Sequence, residues 1–415
     1  MEHIVAHYIT DFLERNGLLS EFQHGFRKGL STHTQLIATV HEIASALDSA
    51  SQIDLVFLDF SKAFDRVPHG KLIGKLLNIG IPDFLVNWIK SYLSNRTQYV
   101  EISGCSSGAL PVLSGVPQGS VLGPILFLIY VNDITSIVSS DVQIRLFADD
   151  CIIFRKITCT ENQIFLNDSL TRVGQWGTSW SMKLNSDKTV LLRITNKREP
   201  LKFSYCIDGV TVKENPEYKY LGVTITNTLS WSKHIENTCA AAMRRLGFIR
   251  HKLKAAPTEA KLLAYKTLVL PKLEYANIVW DPFSKKDKQK LEMVQRRAVR
   301  FIFNKYRSTD SPSSLMVQNG ISTLEQRRKL ARLKFLFSLF HGHLKLNANP
   351  YVKPFLPRAS RHRHSHNLLP YKARTNLFKY SFFPRTMADW NALPSSVFSA
   401  RTAAAFSAKV FAAIQ

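Results

Sequence analysis

The sequence predicts an α+β fold, in which strands and helices alternate over the first 225 residues and helices alone follow. Apolar runs of strand length occur at 53–60 and on both sides of Asp149-Asp150. The segments between them have apolar residues at every third or fourth position, as amphipathic helices do. Beyond residue 230 only the helical spacing continues. This order predicts a split βαβ layer of the ferredoxin-like type, followed by a helical region.

Cap and turn residues delimit the helices of the first layer. Helices are predicted over 70–78, 83–95 and about 120–137, with Gly80 ending the first and Asp83 capping the second. The third is almost entirely apolar, which is typical of a helix buried beneath a sheet.

Past this layer the sequence predicts a hairpin and then helices. Asp208-Gly209 separates two short strand-like runs and is a strong hairpin signal. Amphipathic stripes beside Lys and Arg predict helices over 232–256, 258–270, 284–303 and 324–341. The stretch 342–370, rich in Pro, His and Arg, is expected to be a loop or linker.

The chain is strongly basic. Its 415 residues are long for one domain, so two or three packed units are expected, and 55 Lys and Arg against 31 Asp and Glu give a formal charge of +24. Such a surface favours a polyanionic partner, either nucleic acid or a membrane surface. The longest apolar run, Val121 to Val131, is far shorter than the roughly 20 residues of a membrane span. Nucleic acid is therefore the expected partner, without a membrane.

The cysteines lack the paired close spacing of a zinc site and are expected to be free thiols in a reducing compartment. They are Cys105, Cys151, Cys159, Cys206 and Cys239. The first residues carry no secretory signal pattern and predict an interior helix.

Two acidic clusters each adjoin a strand-like run. Asp59 ends the first run, and Asp149 and Asp150 interrupt the second. If the two strands pair, the carboxylates meet on stiff backbone, and clustered carboxylates are the oxygen ligands of paired divalent ions in phosphoryl transfer. An Asp-Asp pair alone is more often a hairpin turn, so the surrounding residues decide between the two interpretations.

A segment with three glycines and two prolines, Ser114–Pro124, lies between the acidic clusters. The order of the three segments resembles motifs A, B and C of reverse transcriptases, most closely those of the jockey and CR1-like group of non-long-terminal-repeat retrotransposons. Segments 22–32, 184–189 and 218–223 resemble the fingers motif, motif D and the primer grip of that family. The resemblance thus covers nearly the whole chain.

The resemblance implies a right-hand polymerase. It implies partial fingers over 1–52, a palm with motifs A to E over 53–225, a helical thumb over 230–305 and a basic C-terminal region over 306–415. In this family an endonuclease domain and a first fingers strand precede the position of Met1. The chain is therefore expected to be a truncated element that lacks the endonuclease.

The resemblance also implies the catalytic residues. Asp59, Asp149 and Asp150 are expected to bind two Mg²⁺ ions, which Mn²⁺ can replace, with the backbone carbonyl of Phe60 as a further ligand. Lys188 is expected to protonate the departing pyrophosphate, because an ammonium near the β-phosphate neutralises charge and can give up a proton. A solvated loop lysine is the alternative.

Four residues are expected at the incoming nucleotide. The Arg27 guanidinium suits bidentate binding of the triphosphate, and Phe64 matches the steric gate that excludes a 2′-hydroxyl, unless it is a core residue. Gln118 would lie at the template and nucleotide, or else be a surface residue in a turn, and Gly119 lets the main chain approach a ligand. Asp65 is expected to cap a helix or form a structural ion pair rather than bind metal.

Nucleic acid is expected at the primer grip, with Tyr220, Leu221 and Gly222, and at basic helical clusters. Such clusters bind template and primer phosphates with salt-dependent affinity, although solvated helix faces are the alternative. The arginines concerned are Arg244, Arg245 and Arg250, and further along Arg296, Arg297 and Arg300. The string Arg361 to His366 is expected to be a phosphate-seeking or disordered loop rather than a metal site.

The implied function is RNA-directed DNA polymerisation, in which deoxynucleoside triphosphates extend a DNA primer 3′-hydroxyl on an RNA template. Two alternatives stay open: an inactive remnant that only binds RNA or DNA, and a maturase-like or telomerase-like reverse transcriptase. The family implies a nuclear or cytoplasmic ribonucleoprotein. The sequence does not predict the oligomeric state.

Overall fold

The computed structural model describes residues 1–355 and 366–414. Of the predicted loop Arg361 to His366, all residues but His366 lie outside the described residues. The chain divides into two compact units that alternate along the sequence. The first unit consists of Met1–Ser31 and Ser51–Pro216, and the second of Thr32–Ala50 and Glu217–Gln415. The predicted α+β class is confirmed. The predicted boundaries of fingers, palm and thumb stay predictions.

The helices of the described residues, numbered in chain order, are α1 (Glu2–Arg15), α2 (Thr32–Asp48), α3 (His69–Asn78), α4 (Asp83–Leu93), α5 (Leu122–Val131), α6 (Thr160–Ser179), α7 (Ser232–Lys252), α8 (Thr258–Ala264), α9 (Leu270–Glu274), α10 (Asn277–Trp280), α11 (Lys285–Ile302), α12 (Pro312–Gln318), α13 (Leu324–Phe340), α14 (Asn376–Lys379), α15 (Phe382–Asn391) and α16 (Ala403–Ile414).

The strands are β1 (Gln52–Leu58), β2 (Thr97–Gln98), β3 (Glu101–Ile102), β4 (Cys105–Ser106), β5 (Leu110–Pro111), β6 (Gln143–Phe147), β7 (Asp150–Ile157), β8 (Val190–Ile194), β9 (Cys206–Ile207), β10 (Val210–Thr211), β11 (Lys213–Glu214), β12 (Glu217–Tyr220) and β13 (Val223–Thr226).

A five-stranded mixed sheet organises the first unit, in the order β11-β8-β1-β7-β6. The central strand β1 pairs antiparallel with both β7 and β8, and every one of its residues is buried. One of them, Asp54, accepts hydrogen bonds from Tyr205 Oη at 2.7 Å, Gln52 Nε2 at 2.8 Å and Gln163 Nε2 at 3.3 Å. A buried carboxylate with this many donors is satisfied within the fold.

The apolar helix α5 is buried and packs against α1 and α3. It ends at Val131 rather than at the predicted residue 137, and a 3₁₀ turn follows over Asn132–Ser136. At this point the Asn132 side chain accepts the Ser20 N–H at 2.8 Å and donates to the Leu18 carbonyl at 2.7 Å. These tertiary bonds compete with continuation of the α-helix.

Helices dominate the second unit. The helix α2 packs against α10, α14 and α15, and α7 packs against α9 and α11. The predicted helix 258–270 is interrupted, because α8 gives way to a π-helical turn over Tyr265–Val269. Pro271 follows at the start of α9, and a proline has no N–H for the turn before it. Within the described residues, no helix is both long and apolar enough to cross a bilayer.

A buried ion cluster joins three elements of the second unit. The Asp281 carboxylate receives Arg328 Nε at 2.6 Å, Arg332 Nε at 3.0 Å and Arg385 Nη1 at 3.0 Å. Arg332 also pairs with Asp389 at 2.9 Å. The cluster therefore links the segment after α10 to α13 and α15.

Candidate active site

The pairing of β1 with β7 brings the two acidic segments together. Leu58 is paired with Cys151, so the next residue along β1, Asp59, comes beside Asp150 at the start of β7. Asp150 is in turn paired with Phe147 across the hairpin turn that contains Asp149. Paired residues of antiparallel strands have Cα atoms roughly 5 Å apart. The three carboxylates therefore stem from one edge of the sheet.

Asp59, Asp149 and Asp150, here called the acidic edge, have little compensating positive charge. Burial raises the pKa of Asp150 to about 6, with further contributions from the charges of Asp149 and Asp59, although its side chain keeps contact with solvent. Burial, followed by the charge of Asp59, also raises the pKa of Asp149. Mutual repulsion of this kind favours protonation or the binding of a cation.

Lys188 is the one ion-pair partner of Asp59 within the described residues. Its Nζ lies 3.6 Å from Asp59 Oδ2, and its side chain is 68% exposed. Such a long, solvated pair leaves the lysine able to change partner.

The donor set suits a hard divalent cation, since carboxylate and carbonyl oxygens are its usual ligands. Across residues 1–355 and 366–414, no three Asp, Glu, His or Cys side chains are already arranged so that they could hold a metal ion. The strand pairing thus supplies the oxygen donors and the excess negative charge, but not a finished coordination geometry.

Strand geometry also directs the backbone of Phe60. Asp59 O accepts the Asn185 N–H at 2.7 Å and Ser61 N donates to Lys183 O at 2.9 Å, so Phe60 and Leu184 form a bridge without direct hydrogen bonds. In such an antiparallel bridge the N–H and C=O of the central residue point away from the partner. The Phe60 carbonyl therefore faces the side of β1 on which β7 lies.

Gln23 braces the turn that carries Asp149, a contact that the sequence analysis missed. Its Oε1 accepts the N–H groups of Gly25 at 2.8 Å and Ala148 at 2.9 Å, and its Nε2 donates to Ala148 O at 3.3 Å. Gln23 is only 1% exposed. Ala148 has a positive φ of 56°, which is uncommon for a residue other than glycine, so these bonds hold a strained backbone next to the acidic pair.

The chain on either side of Gln23 closes onto the same turn. Leu146 N donates to Phe22 O and His24 N donates to Leu146 O, both at 2.9 Å. A Cβ on Gly25 would come within 2.3 Å of Ala148 N, so only glycine allows this approach. The only signal in the sequence was membership of the segment 22–32.

Arg27 is already engaged inside the first unit. Its Nε and Nη2 each lie 3.0 Å from an oxygen of the Glu14 carboxylate, and its Nη1 donates to Ser20 O at 2.7 Å. The side chain is largely buried. Arg27 thus connects α1 to the following loop, and its binding of a triphosphate stays a prediction.

The glycine segment packs against the turn after β1. Gln118 is exposed, and its Nε2 donates to Asp65 Oδ1 at 2.8 Å. Gly115 has a positive φ of 91°, and a Cβ there would lie 2.8 Å from the Asp65 backbone. At Gly119 the corresponding space is open within 4 Å. Half-buried Phe64 stacks on Phe127, with ring centroids 4.1 Å apart.

The predicted nucleic-acid residues belong to the second unit. Tyr220 is buried and its Oη accepts Gln35 Nε2 at 3.1 Å. Leu221 O accepts Tyr275 Oη at 2.8 Å, and a Cβ on Gly222 would lie 2.8 Å from the Tyr275 ring, so the β12–β13 turn is fixed by one tyrosine. The arginines of α7 are exposed: Arg244, Arg245 and Arg250.

Comparisons with known proteins identify relatives of this chain. Residues 1–225 match the family described as "Reverse transcriptase (RNA-dependent DNA polymerase)". The chain is 30% identical over 312 residues to the "Probable RNA-directed DNA polymerase from transposon BS" of Drosophila melanogaster, covering 72% of this chain and 34% of that protein. It is 31% identical over 315 residues to the "RNA-directed DNA polymerase from mobile element jockey" of Drosophila funebris, covering 73% and 34%.

The chain therefore spans about a third of the length of these relatives. Among solved structures, apo telomerase from Candida tropicalis is similar with a TM-score of 0.44 and 12% identity, over 79% of this chain and 52% of that chain.

Proposed function

Because the chain belongs to the reverse transcriptase family, which its residues 1–225 match, we propose that it is an RNA-directed DNA polymerase of a non-long-terminal-repeat retrotransposon. The observation that carries this proposal is the β1–β7 pairing, which joins Asp59 to Asp149 and Asp150 at one edge of the sheet. Members of the family generally depend on a metal, and the acidic edge has the oxygen donors and the uncompensated charge that a divalent cation requires.

Asp59, Asp149 and Asp150 would hold two divalent ions, Mg²⁺ or Mn²⁺, together with the Phe60 carbonyl. When bound, such ions stabilise the attacking and leaving oxygens of nucleotidyl transfer. The raised pKa of Asp150 and Asp149 supports this assignment, because binding of a cation favours the ionised carboxylates that repel one another in its absence.

Lys188 would deliver a proton to the departing pyrophosphate. Its ammonium lies 3.6 Å from Asp59, so exchange of this weak pair for the phosphates of a deoxynucleoside triphosphate costs little. A charged donor at that position stabilises the leaving group, whose negative charge grows during transfer.

The remaining nucleotide contacts follow from the packing around motif B. Phe64 is held by its stack on Phe127, so a rigid ring would exclude a ribose 2′-hydroxyl. Gln118 and the open backbone at Gly119 would contact the template and nucleotide. Arg27 would reach the triphosphate only after exchanging the Glu14 carboxylate for phosphate oxygens.

The template RNA and DNA primer would contact the second unit. The fixed turn of Tyr220, Leu221 and Gly222 would support the primer end, and exposed arginines of α7 would bind phosphates. These are Arg244, Arg245 and Arg250. Binding of this kind is electrostatic and weakens with salt.

Primer extension on a homopolymer RNA template tests the proposal. The wild-type chain is expected to extend a DNA primer only with Mg²⁺ or Mn²⁺, and Asp149→Ala and Asp150→Ala are expected to abolish extension while the template–primer still binds. Binding by the wild type without metal-dependent extension would instead identify an inactive remnant.

A further inference from the structure

Two adjoining cavities lie along α11 in the second unit. The first, here called the apolar slot, measures about 240 Å³ and lies between α7 and α11; it is lined chiefly by Cys239, Ala240, Met243, Met293, Val294 and Arg297. The second, here called the arginine groove, measures about 370 Å³ and lies between α11 and the start of α12; it is lined chiefly by Met293, Arg296, Arg297, Arg300, Ser311 and Ser313. Met293 and Arg297 line both, so the two cavities adjoin at these residues.

The apolar slot offers an adaptable surface. The charged residues at its border, Lys290 and Glu236, pair with each other at 2.7 Å and leave the methionines, Ala240 and Val294 as the contact surface. Burial raises the pKa of Cys239 to about 11, so its thiol is neutral. Methionine side chains adapt to the shape of a ligand and make favourable contacts between sulfur and aromatic rings.

The arginine groove offers phosphate-binding groups in a row. Arg296 and Arg297 are exposed, and neither forms an ion pair among the described residues, although the charge of Arg296 opposes the rise in pKa that burial gives the Glu292 carboxylate one turn earlier on α11. Arg300, one turn further along α11, donates only at 3.4 Å to Tyr306 O and at 3.5 Å to Asp310 O. Guanidinium groups bind phosphate oxygens in bidentate fashion, and the hydroxyls of Ser311 and Ser313 add donors to the same groove.

We propose that the slot and groove together bind single-stranded nucleic acid, with one unstacked base in the apolar slot and the neighbouring phosphates in the arginine groove. A ligand for both cavities must carry a compact apolar group beside closely spaced negative charges, and a nucleotide chain has this alternation at every residue. Bases of a duplex are stacked inside the helix and cannot enter a side slot. The site therefore selects single strands.

This site differs in its requirements from the proposed polymerase centre. It is formed by α7, α11 and α12 alone and needs no divalent ion, so binding is expected in the presence of a chelator and in Asp150→Asn. Failure of catalysis and failure of this site are therefore separate results.

Fluorescence anisotropy of the full chain tests the site with two ten-unit probes, a single-stranded oligonucleotide and an abasic phosphodiester of the same charge. RNA and DNA versions of the first probe report any preference for the sugar. Ala240→Phe fills the slot, and the double variant Arg296→Gln with Arg297→Gln removes two charges from the groove. Lys285→Gln with Lys286→Gln removes the same charge from exposed positions on the same helix and serves as the matched control.

Ala240→Phe is expected to weaken the affinity for the base-containing probe by at least about fivefold, which corresponds to the lower end of the stacking energy of one base. The affinity for the abasic probe is expected to stay unchanged. The arginine double variant is expected to weaken both probes and to lower the slope of log affinity against log salt by about 1.4, since each charge contributes about 0.7 on single strands.

Three outcomes would overturn the assignment. The first is that Ala240→Phe affects the binding of both probes equally or of neither. The second is that the Lys285 and Lys286 control weakens binding as much as the arginine double variant. The third is that a peptide of alternating Asp and Phe competes more strongly than the oligonucleotide of equal charge. The last result would identify an acidic protein segment as the occupant.

Discussion

The acidic edge of the first unit and the buried ion cluster of the second differ in how their carboxylates are compensated. In the second unit three arginines surround the buried carboxylate of Asp281. In the first unit, the one ion pair found for Asp59, Asp149 and Asp150 among the described residues is the exposed pair of Asp59 with Lys188, at 3.6 Å. Charge balance therefore separates two roles: a compensated carboxylate holds helices together, whereas an uncompensated cluster is available to an external cation.

Asp150→Asn is expected to have the largest effect on activity. Loss of one metal-binding carboxylate removes several kcal/mol of transition-state stabilisation, so primer extension is expected to fall by about a thousandfold. The free energy of unfolding without metal is expected to stay level or rise, because a repulsive charge is removed. Extension assays and urea denaturation measure the two effects, and a large loss of stability would mean that Asp150 has a structural role.

Asp281→Asn is expected to give the opposite result. It removes the carboxylate that Arg328, Arg332 and Arg385 share and leaves Arg332 with Asp389 alone, and breaking a buried ion pair costs about 3–5 kcal/mol in unfolding free energy. Denaturation monitored by tryptophan fluorescence suits this test because Trp280 adjoins the cluster. Asp389→Asn, at a more exposed carboxylate of the same network, is the milder control, and an equal loss from both variants would contradict the central position of Asp281.

Two buried glutamines of the first unit, Gln23 and Gln163, differ in whether they contact the acidic turn. Gln23→Ala and Gln163→Ala each leave buried hydrogen-bonding groups unsatisfied, at about 1–3 kcal/mol of stability. Of the two, only Gln23 contacts the turn before Asp149, so only its variant is expected to lower kcat as well. A displaced carboxylate that loses about 1.4 kcal/mol of transition-state stabilisation lowers kcat by about tenfold. Equal kcat for the two folded variants would refute the bracing role.

The smallest expected effect is a pH dependence in metal-free protein. The pKa of Asp150 is about 6 in the folded state against 3.8, so the folded state binds this proton more tightly than the unfolded chain. That contribution is complete below pH 3.8 and is lost as pH rises through about 6. Relative to Asp150→Asn, the wild-type unfolding free energy should therefore decline over this range in chelator. A flat difference would show that the carboxylates are already compensated.

Much of the architecture follows from local pattern. The buried run of β1 and the interrupted run around Asp149-Asp150 predicted the strands that pair. Asp83 is the first residue of α4, but the prediction that it caps this helix is wrong, because Pro82 holds the cap position and no side chain makes a capping hydrogen bond. The strand positions follow from side-chain period, which is a property of neighbouring residues.

Contacts between distant segments were beyond this reasoning. Gln23 meets Ala148 across 125 residues, and no local period encodes such a pair. The Arg27 guanidinium can bind phosphate in bidentate fashion but pairs with Glu14, because the Glu14 carboxylate on α1 presents two oxygens to the same N–H groups. The π-helical turn after α8 is followed by Pro271 at the start of α9, and the helical spacing of the surrounding residues did not predict this interruption.

The helix α2 gives the chain an unusual order of assembly. Its last residue, Asp48, accepts the N–H groups of Arg374 and Thr375 from a position 326 residues earlier, and its neighbours α10, α14 and α15 are all made late. At roughly 5–20 residues per second on the ribosome, the apolar face of α2 waits between about 16 and 65 s for the segment at Arg374 and Thr375. Chaperone capture of the nascent chain at this helix is the expected consequence.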